Sequence, residues 1–147
     1  MYFSKSFGYA IRGILYLAMN DGNSENIQSD EMANKLSIPK SFMAKVLKNL
    51  AKNKVIKSIK GPNGGFHLLD DTLKMKLIDI LKITDPKDPF DKCILQWKRC
   101  NSKRPCPMHH LISASKIELS SVLNATSISD LISDKSILRK QLLEDVI

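Results

Sequence analysis

The chain has no run approaching the roughly 18 uncharged apolar residues that a membrane-spanning helix requires, so no membrane protein is expected. Apolar residues between Met1 and Met19 are interrupted by Lys5 and Arg12 and end without a small-residue cleavage site. No secretory leader is expected, and the predicted location is cytoplasmic. Cysteine is scarce: Cys93, Cys100 and Cys106 are an odd set of three packed into one stretch. In a reducing compartment such a set points to metal or redox chemistry before structural disulfides. Catalytic patterns are missing as well. There is no Ser-His-Asp arrangement, no glycine loop opening onto a helix to cradle phosphate, and no acid pair with a reason to share a pocket, so an enzyme is not expected. Internal repeats and low-complexity tracts are also absent. Acid is the minority charge, with 15 Asp and Glu against 23 Lys and Arg, and the net charge of +8 favours a polyanionic partner. Nucleic acid is the first candidate and an anionic membrane surface the second.

What is present has the pattern of a small, mostly helical protein. The 147 residues, 43% of them apolar, suit one compact domain, or a small domain plus an oligomerising arm. Phe7, Ile11, Ile14, Leu15 and Ala18 recur at helical spacing and predict a first helix that stops before Asp21-Gly22-Asn23. Ser29 is the expected N-cap of a short second helix, with Asp30 and Glu31 favourably in its first turn and Met32, Ala33 and Leu36 inward. Pro39 suits the first position of a third helix that runs to about Asn53 and buries Phe42, Met43, Val46, Leu47 and Leu50. For Phe42, core packing is preferred over contact with a thymine methyl. Two helices joined by so brief a turn read as helix-turn-helix.

Val55 to Lys60 and Phe66 to Leu69 are expected strands joined through Gly61-Pro62-Asn63-Gly64-Gly65, making a hairpin, or wing. A fourth helix over Leu77 to Thr84 should be largely buried. From Lys87 to Pro107 periodicity is lost and a long loop is expected. Met108, Leu111, Ile112, Ser115, Leu119, Val122 and Leu123 then predict a helix too long to bury its stripe against so small a domain, and a second subunit is the natural acceptor. Ser127 to Asp130 offers caps for another short helix, and the amphipathic tail from Lys135 is free to fray. The expected fold is mainly α with a small β-hairpin, a winged helix-turn-helix plus a long dimerisation helix. It divides into a DNA-binding part (1–84), a cysteine-bearing loop (85–107), a dimerisation helix (108–126) and a C-terminal helix with tail (127–147).

Between Lys40 and Lys60 lie seven lysines and no acid. Lys45, Lys48 and Lys52 stand three and four residues apart opposite Val46 and Leu50, so they project as a ridge able to follow a phosphate backbone. A lysine-rich helix face alone is often merely solvated. Here a helix-turn-helix precedes it and a basic hairpin follows, and double-stranded DNA becomes the expected partner. Ser41 and Lys45 are placed for base edges, Lys40 and Lys48 for phosphates.

Ser4-Lys5-Ser6-Phe7-Gly8-Tyr9-Ala10, the wing string from Val55 through Gly61-Pro62-Asn63-Gly64-Gly65-Phe66, and Ser127-Ile128-Ser129-Asp130-Leu131-Ile132 together resemble the IscR/NsrR family of winged-helix bacterial regulators, the Rrf-two family. The resemblance runs from Phe3 to about Ile132 and implies a homodimer on a palindromic operator, with recognition helices in the major groove and wings in the minor groove. It adds Ser4, Lys5, Lys57, Lys60 and Asn63 to the implied DNA contacts. The spacing Cys93-x₆-Cys100-x₅-Cys106 resembles the iron–sulfur members, with a first gap one residue longer. Cys106-Pro107-Met108-His109 sets an imidazole where the IscR-like branch has its histidine ligand, which implies a [2Fe-2S] cluster held by Cys93, Cys100, Cys106 and His109, with His110 a bystander. The nitric-oxide-sensing branch draws an acid from the first helix, where this chain has Gly8, and the glutamate that tunes operator choice in IscR-like proteins is replaced by Ala44.

On residue chemistry alone, three thiols and an imidazole also suit zinc, or could act as bare redox thiols. Lys98, Arg99, Lys103 and Arg104 flank the thiols and are expected to lower their pKa, and Trp97 is expected to cover the site. The leading function is a regulator, in the repressor sense, whose operator affinity follows the state of the cysteines. A zinc- or thiol-based regulator of the same fold, and an iron–sulfur electron carrier or scaffold, are the alternatives.

Overall fold

In the computed structural model, which describes residues 3–21 and 25–144, helix α1 (Lys5–Met19) is the central post. Ser4 caps it, its hydroxyl accepting from the Phe7 N–H at 3.3 Å, and the helix ends at Asn20. Gly22 and Asn23 of the expected stop lie outside the described residues. Helices α2 (Ser29–Leu36) and α3 (Lys40–Lys52) pack on α1 and on each other. Ala10, Ile14, Met32, Leu36, Met43, Leu47 and Leu50 fill the space between the three, each 1% exposed or less. Burying the leucine, isoleucine and methionine side chains among them stabilises the fold by about 1.5–3 kcal/mol apiece before chain entropy is subtracted.

Between α2 and α3 the chain reverses in three residues. Ser37 takes a left-handed conformation with φ 52°, the Ile38 N–H donates back to the Ala33 carbonyl at 2.9 Å, and the Arg12 guanidinium donates to the Leu36 carbonyl. The local expectations shift by one residue here. Gln28, not Ser29, is the N-cap of α2, and Pro39 stands just before the first turn of α3. Strands β1 (Ile56–Ile59) and β2 (Gly65–Leu68) form the antiparallel hairpin, the first one residue shorter at each end than expected and the second displaced by one residue.

Helix α4 (Leu77–Thr84) closes the core with Leu77, Ile80 and Leu81 and has the predicted bounds. A short 3₁₀ turn (Thr72–Lys74) carries the chain from wing to α4. Its Thr72 is 1% exposed, and the hydroxyl both donates to the Val55 carbonyl at 2.5 Å and accepts from the Leu69 N–H at 3.1 Å. Thr72→Val should keep the volume but strand both backbone groups away from water. We expect a loss of about 1–3 kcal/mol in urea unfolding with DNA contacts untouched.

Helix α5 (His109–Ala125) leaves this body. Only Leu123 is buried along it, while Leu111, Ile117 and Val122 are 72%, 68% and 52% exposed. The far end of α5 is tied down. Lys76 Nζ donates to the Ala125 carbonyl at 3.0 Å, and the Leu77 and Ile128 N–H groups donate to Thr126 and Met75 carbonyls, both at 3.0 Å. Helix α6 (Ile128–Leu131) follows under a reciprocal cap, Ser127 Oγ accepting from the Asp130 N–H and Asp130 Oδ2 from the Ser127 N–H. The tail forms helix α7 (Lys135–Glu144), which packs on α1 and α2 through the buried Leu142.

Candidate nucleic-acid interface and cysteine cluster

On α3 one face belongs to the core and the other to solvent. Val46 and Leu50 are buried, while Lys40, Ser41, Lys45, Lys48 and Lys52 are exposed. Lys40 Nζ lies 3.6 Å from Asp30 Oδ2, and among the described residues no ion pair involves Lys45, Lys48 or Lys52. Their charge is therefore uncompensated along a ridge. Phe42 is a correction: expected in the core, it is 54% exposed. It lies three residues before Lys45 and so heads the lysine ridge, touching Tyr9 of α1 with ring centroids 6.4 Å apart.

The wing stands beside α3 with Lys57, Lys60 and Asn63 exposed. Its base is fastened to the segment before α2, where Ile27 and Phe66 exchange backbone hydrogen bonds of 3.1 and 2.8 Å. Asn26 spans the hairpin, donating to the Asn63 carbonyl at 3.1 Å while its Oδ1 lies 2.9 Å from His67 Nδ1. Two glycines make the close approach possible. A Cβ on Gly64 would sit 2.2 Å from the Ile59 carbonyl oxygen, and Gly65 has φ 148° with room for no side chain against Ile27. Ser4 and Lys5 are exposed at the start of α1, but Ser4 is occupied: its N–H donates to Asp85 Oδ2 at 2.9 Å and its hydroxyl to Asp85 Oδ1.

Beyond Asp85 the chain enters the cysteine loop, which the structure folds into a defined shape. A 3₁₀ turn (Pro89–Asp91) starts under the Asp88 side chain, which accepts from the Phe90 N–H at 2.8 Å. Lys116 of α5 clamps it there, its Nζ donating to the carbonyls of Phe90 and Lys92 at 3.0 and 2.7 Å. Asn101 makes the turn between the second and third cysteines, Oδ1 accepting from the N–H groups of Lys103 and Arg104 at 2.9 and 3.0 Å. As a result the sulfurs of Cys93, Cys100 and Cys106 lie within 4.8 Å of one another, Cys93 to Cys106 at 3.6 Å. His109, in the first turn of α5, brings Nδ1 to 3.3 Å from Cys100 Sγ, whereas His110 is exposed and only stacks edge-on against it. Among the described residues the mutually close donor set is the three cysteines, with His109 adjoining it through Cys100.

Burial pushes the Cys93 thiol up, but hydrogen bonds from the N–H groups of Trp97 and Leu95, helped by the neighbouring thiols, outweigh it and bring the pKa down to about 7. At Cys100 the Cys106 N–H, 3.4 Å away, favours the thiolate, yet burial and the other two sulfurs together hold the thiol above its ordinary value. The flanking cations were expected to be responsible. They are all exposed; backbone donors lower the Cys93 thiol instead, and Cys100 runs against the expectation because burial and the neighbouring sulfurs outweigh its one backbone donor. Trp97 is 55% exposed and forms one wall of an open cavity of about 590 Å³ shared with Ile94, Gln96, Cys93 and Cys100, so it lines the approach to the sulfurs and does not seal it. Soft sulfur donors with one imidazole suit either an iron–sulfur cluster or zinc.

The sequence profile of the Rrf2 family, described as iron-dependent transcriptional regulators, matches residues 3–134. The chain belongs to the Rrf2 family. A helix-turn-helix transcriptional regulator of Aquifex aeolicus is 33% identical over 134 residues, covering 90% of this chain and 92% of the relative. The regulator IscR of Sodalis glossinidius is 24% identical across 88% of this chain and 78% of its own length. CymR, the global cysteine regulator of B. subtilis, has the same fold, with a TM-score of 0.67 at 20% identity over 88% of this chain and 95% of that one. The protein is thus a DNA-binding transcription regulator and not an enzyme. Among the described residues no helix is long and apolar enough to cross a membrane.

Sequence reasoning missed the parts that shape the cysteine site. Asn101 could have been found, since an asparagine two and three residues before free N–H groups is a turn signal. Asp85 and Lys116 left no local trace, because each acts on a segment far away in the chain.

Proposed function

We propose that the protein is a homodimeric repressor on a palindromic operator, and that an iron–sulfur cluster, of [2Fe-2S] type, held by Cys93, Cys100, Cys106 and His109 modulates its affinity. The observation that carries this reading is the convergence of three thiols on a loop wired to the DNA-binding elements. Asp85, at the loop's root, holds the Ser4 cap of α1, and the ring of Phe90 meets that of Phe3 edge-on at 6.0 Å. Two residues earlier the Ile83 carbonyl accepts from Asn49 Nδ2 of α3 at 3.2 Å. A change in loop shape therefore has two short routes to the helices that face DNA. The bound group would supply electron-transfer or ligand-exchange chemistry, while the chain's own residues set the loop's shape and hold the sulfurs together. A swing of about 3 kcal/mol between the two states would alter operator affinity roughly a hundredfold.

Iron and acid-labile sulfide should be stoichiometric in protein purified without oxygen and lost in Cys106→Ser, and operator affinity should differ at least tenfold between loaded and stripped forms. Equal affinity of the two forms would remove the sensing role and leave DNA binding standing. Zinc is the second reading, and a specific observation favours it: all three sulfurs lie within 4.8 Å of one another, as donors gathered on one tetrahedral ion do at about 3.8 Å. Colourless protein with one equivalent of zinc per chain would select it.

A further inference from the structure

Phe42 is an anomaly on its helix. The other outward residues near the start of α3 are Lys40, Ser41 and Lys45, all able to hydrogen-bond water, phosphate or base edges. A phenyl ring there is 54% exposed and forgoes much of the burial that usually justifies a phenylalanine. Its position is not random either. Phe42 lies in the first turn of α3, on the same ridge as Lys45 and Lys48, and the N-terminal part of such a helix is the part that reaches base edges. Tyr9 braces one side of the ring, with planes tilted 59°. A braced ring has less rotamer freedom to lose when something docks on its free side.

We propose that Phe42 is a sequence-reading residue whose exposed ring edge packs on the 5-methyl group of a thymine in the major groove. The proposal rests on the DNA-binding reading above and deepens it. The chemistry selects the ligand: a phenyl ring neither donates nor accepts, and the thymine methyl is the apolar feature that the major-groove edges of the bases display. Lys40 and Lys45, on either side in sequence, hold the backbone or neighbouring base edges and bring the ring into register. The same contact would accept 5-methylcytosine in place of thymine at that point for its methyl, though not for its hydrogen-bonding edge.

The test starts from duplexes that the protein itself enriches from a random-sequence pool. Each thymine of the enriched half-site is replaced in turn by deoxyuridine, which removes one methyl and leaves base pairing intact. With wild-type protein, one thymine per half-site should show a loss of about fourfold, the effect of one buried methyl. Phe42→Ala should bind the thymine duplex more weakly and be indifferent to deoxyuridine at that position, so that the two changes are non-additive. Phe42→Leu, which keeps an apolar group, should retain part of the deoxyuridine effect. Phe42 is at the surface, and circular dichroism and sedimentation should be unchanged in both variants. If every thymine tolerates deoxyuridine, or Phe42→Ala keeps the full penalty, or the variant loses its dimer instead, the assignment is wrong while DNA binding survives. If the pool yields no enriched sequence at all, the DNA-binding reading fails with it.

Discussion

Replacing Lys45, Lys48 and Lys52 together by alanine should lower DNA affinity by about two to four orders of magnitude at moderate salt. The three side chains are exposed and, among the described residues, take part in no ion pair, so the substitution removes charge without dismantling the core beneath Val46 and Leu50. In a dimer six cations vanish. With Lys45 placed for base edges, the plot of log affinity against log salt should become shallower by about 3.6, from a contribution near 0.9 for each of the four phosphates held by Lys48 and Lys52 of both subunits. Fluorescence anisotropy on a labelled duplex at several salt concentrations measures both quantities. A slope that does not move would show that the ridge faces solvent and that DNA lies elsewhere on the molecule.

The second large effect concerns α5. Leu111, Ile117 and Val122 point away from the body of the protein, and three large apolar groups in water on one helix are costly unless another surface covers them. Changing all three to glutamate should convert the proposed dimer to a monomer in sedimentation experiments while leaving the winged body folded, because its core draws on α5 only through Leu123. Loss of the second half-site contact should then cost operator binding about 10²–10⁴-fold, the usual advantage of linking two binding modules. Binding to a single half-site should change little. A variant that stays dimeric would place the dimer contact away from these three residues.

Elements whose burial is decided by their own periodicity were legible in the chain. Helix α4 has the expected bounds, since Leu77, Ile80 and Leu81 follow the helical repeat and Asp85-Pro86 ends it. The lysine ridge was legible for the same reason, being the complement of Val46 and Leu50. Phe42 was misplaced because periodicity puts it near the border of the two faces and hydrophobicity then votes for the core. Only the position of Tyr9 and the neighbouring helix leaves that ring outside. The Ser29 hydroxyl suits a cap, yet the backbone turns one residue earlier, at Gln28.

The residue order by itself determined the winged, mainly helical architecture, the basic face and the grouping of three thiols in one loop, because helix and hairpin formation respond to spacing and turn chemistry within a few positions. Which sulfurs meet, and what the loop is attached to, was decided by the tertiary structure alone. Lys116 reaches back 24 residues to the Lys92 carbonyl, and Ser4 is joined to Asp85 across 81. Such hydrogen bonds form only after packing has brought distant segments together, and a local pattern of side chains carries no record of them.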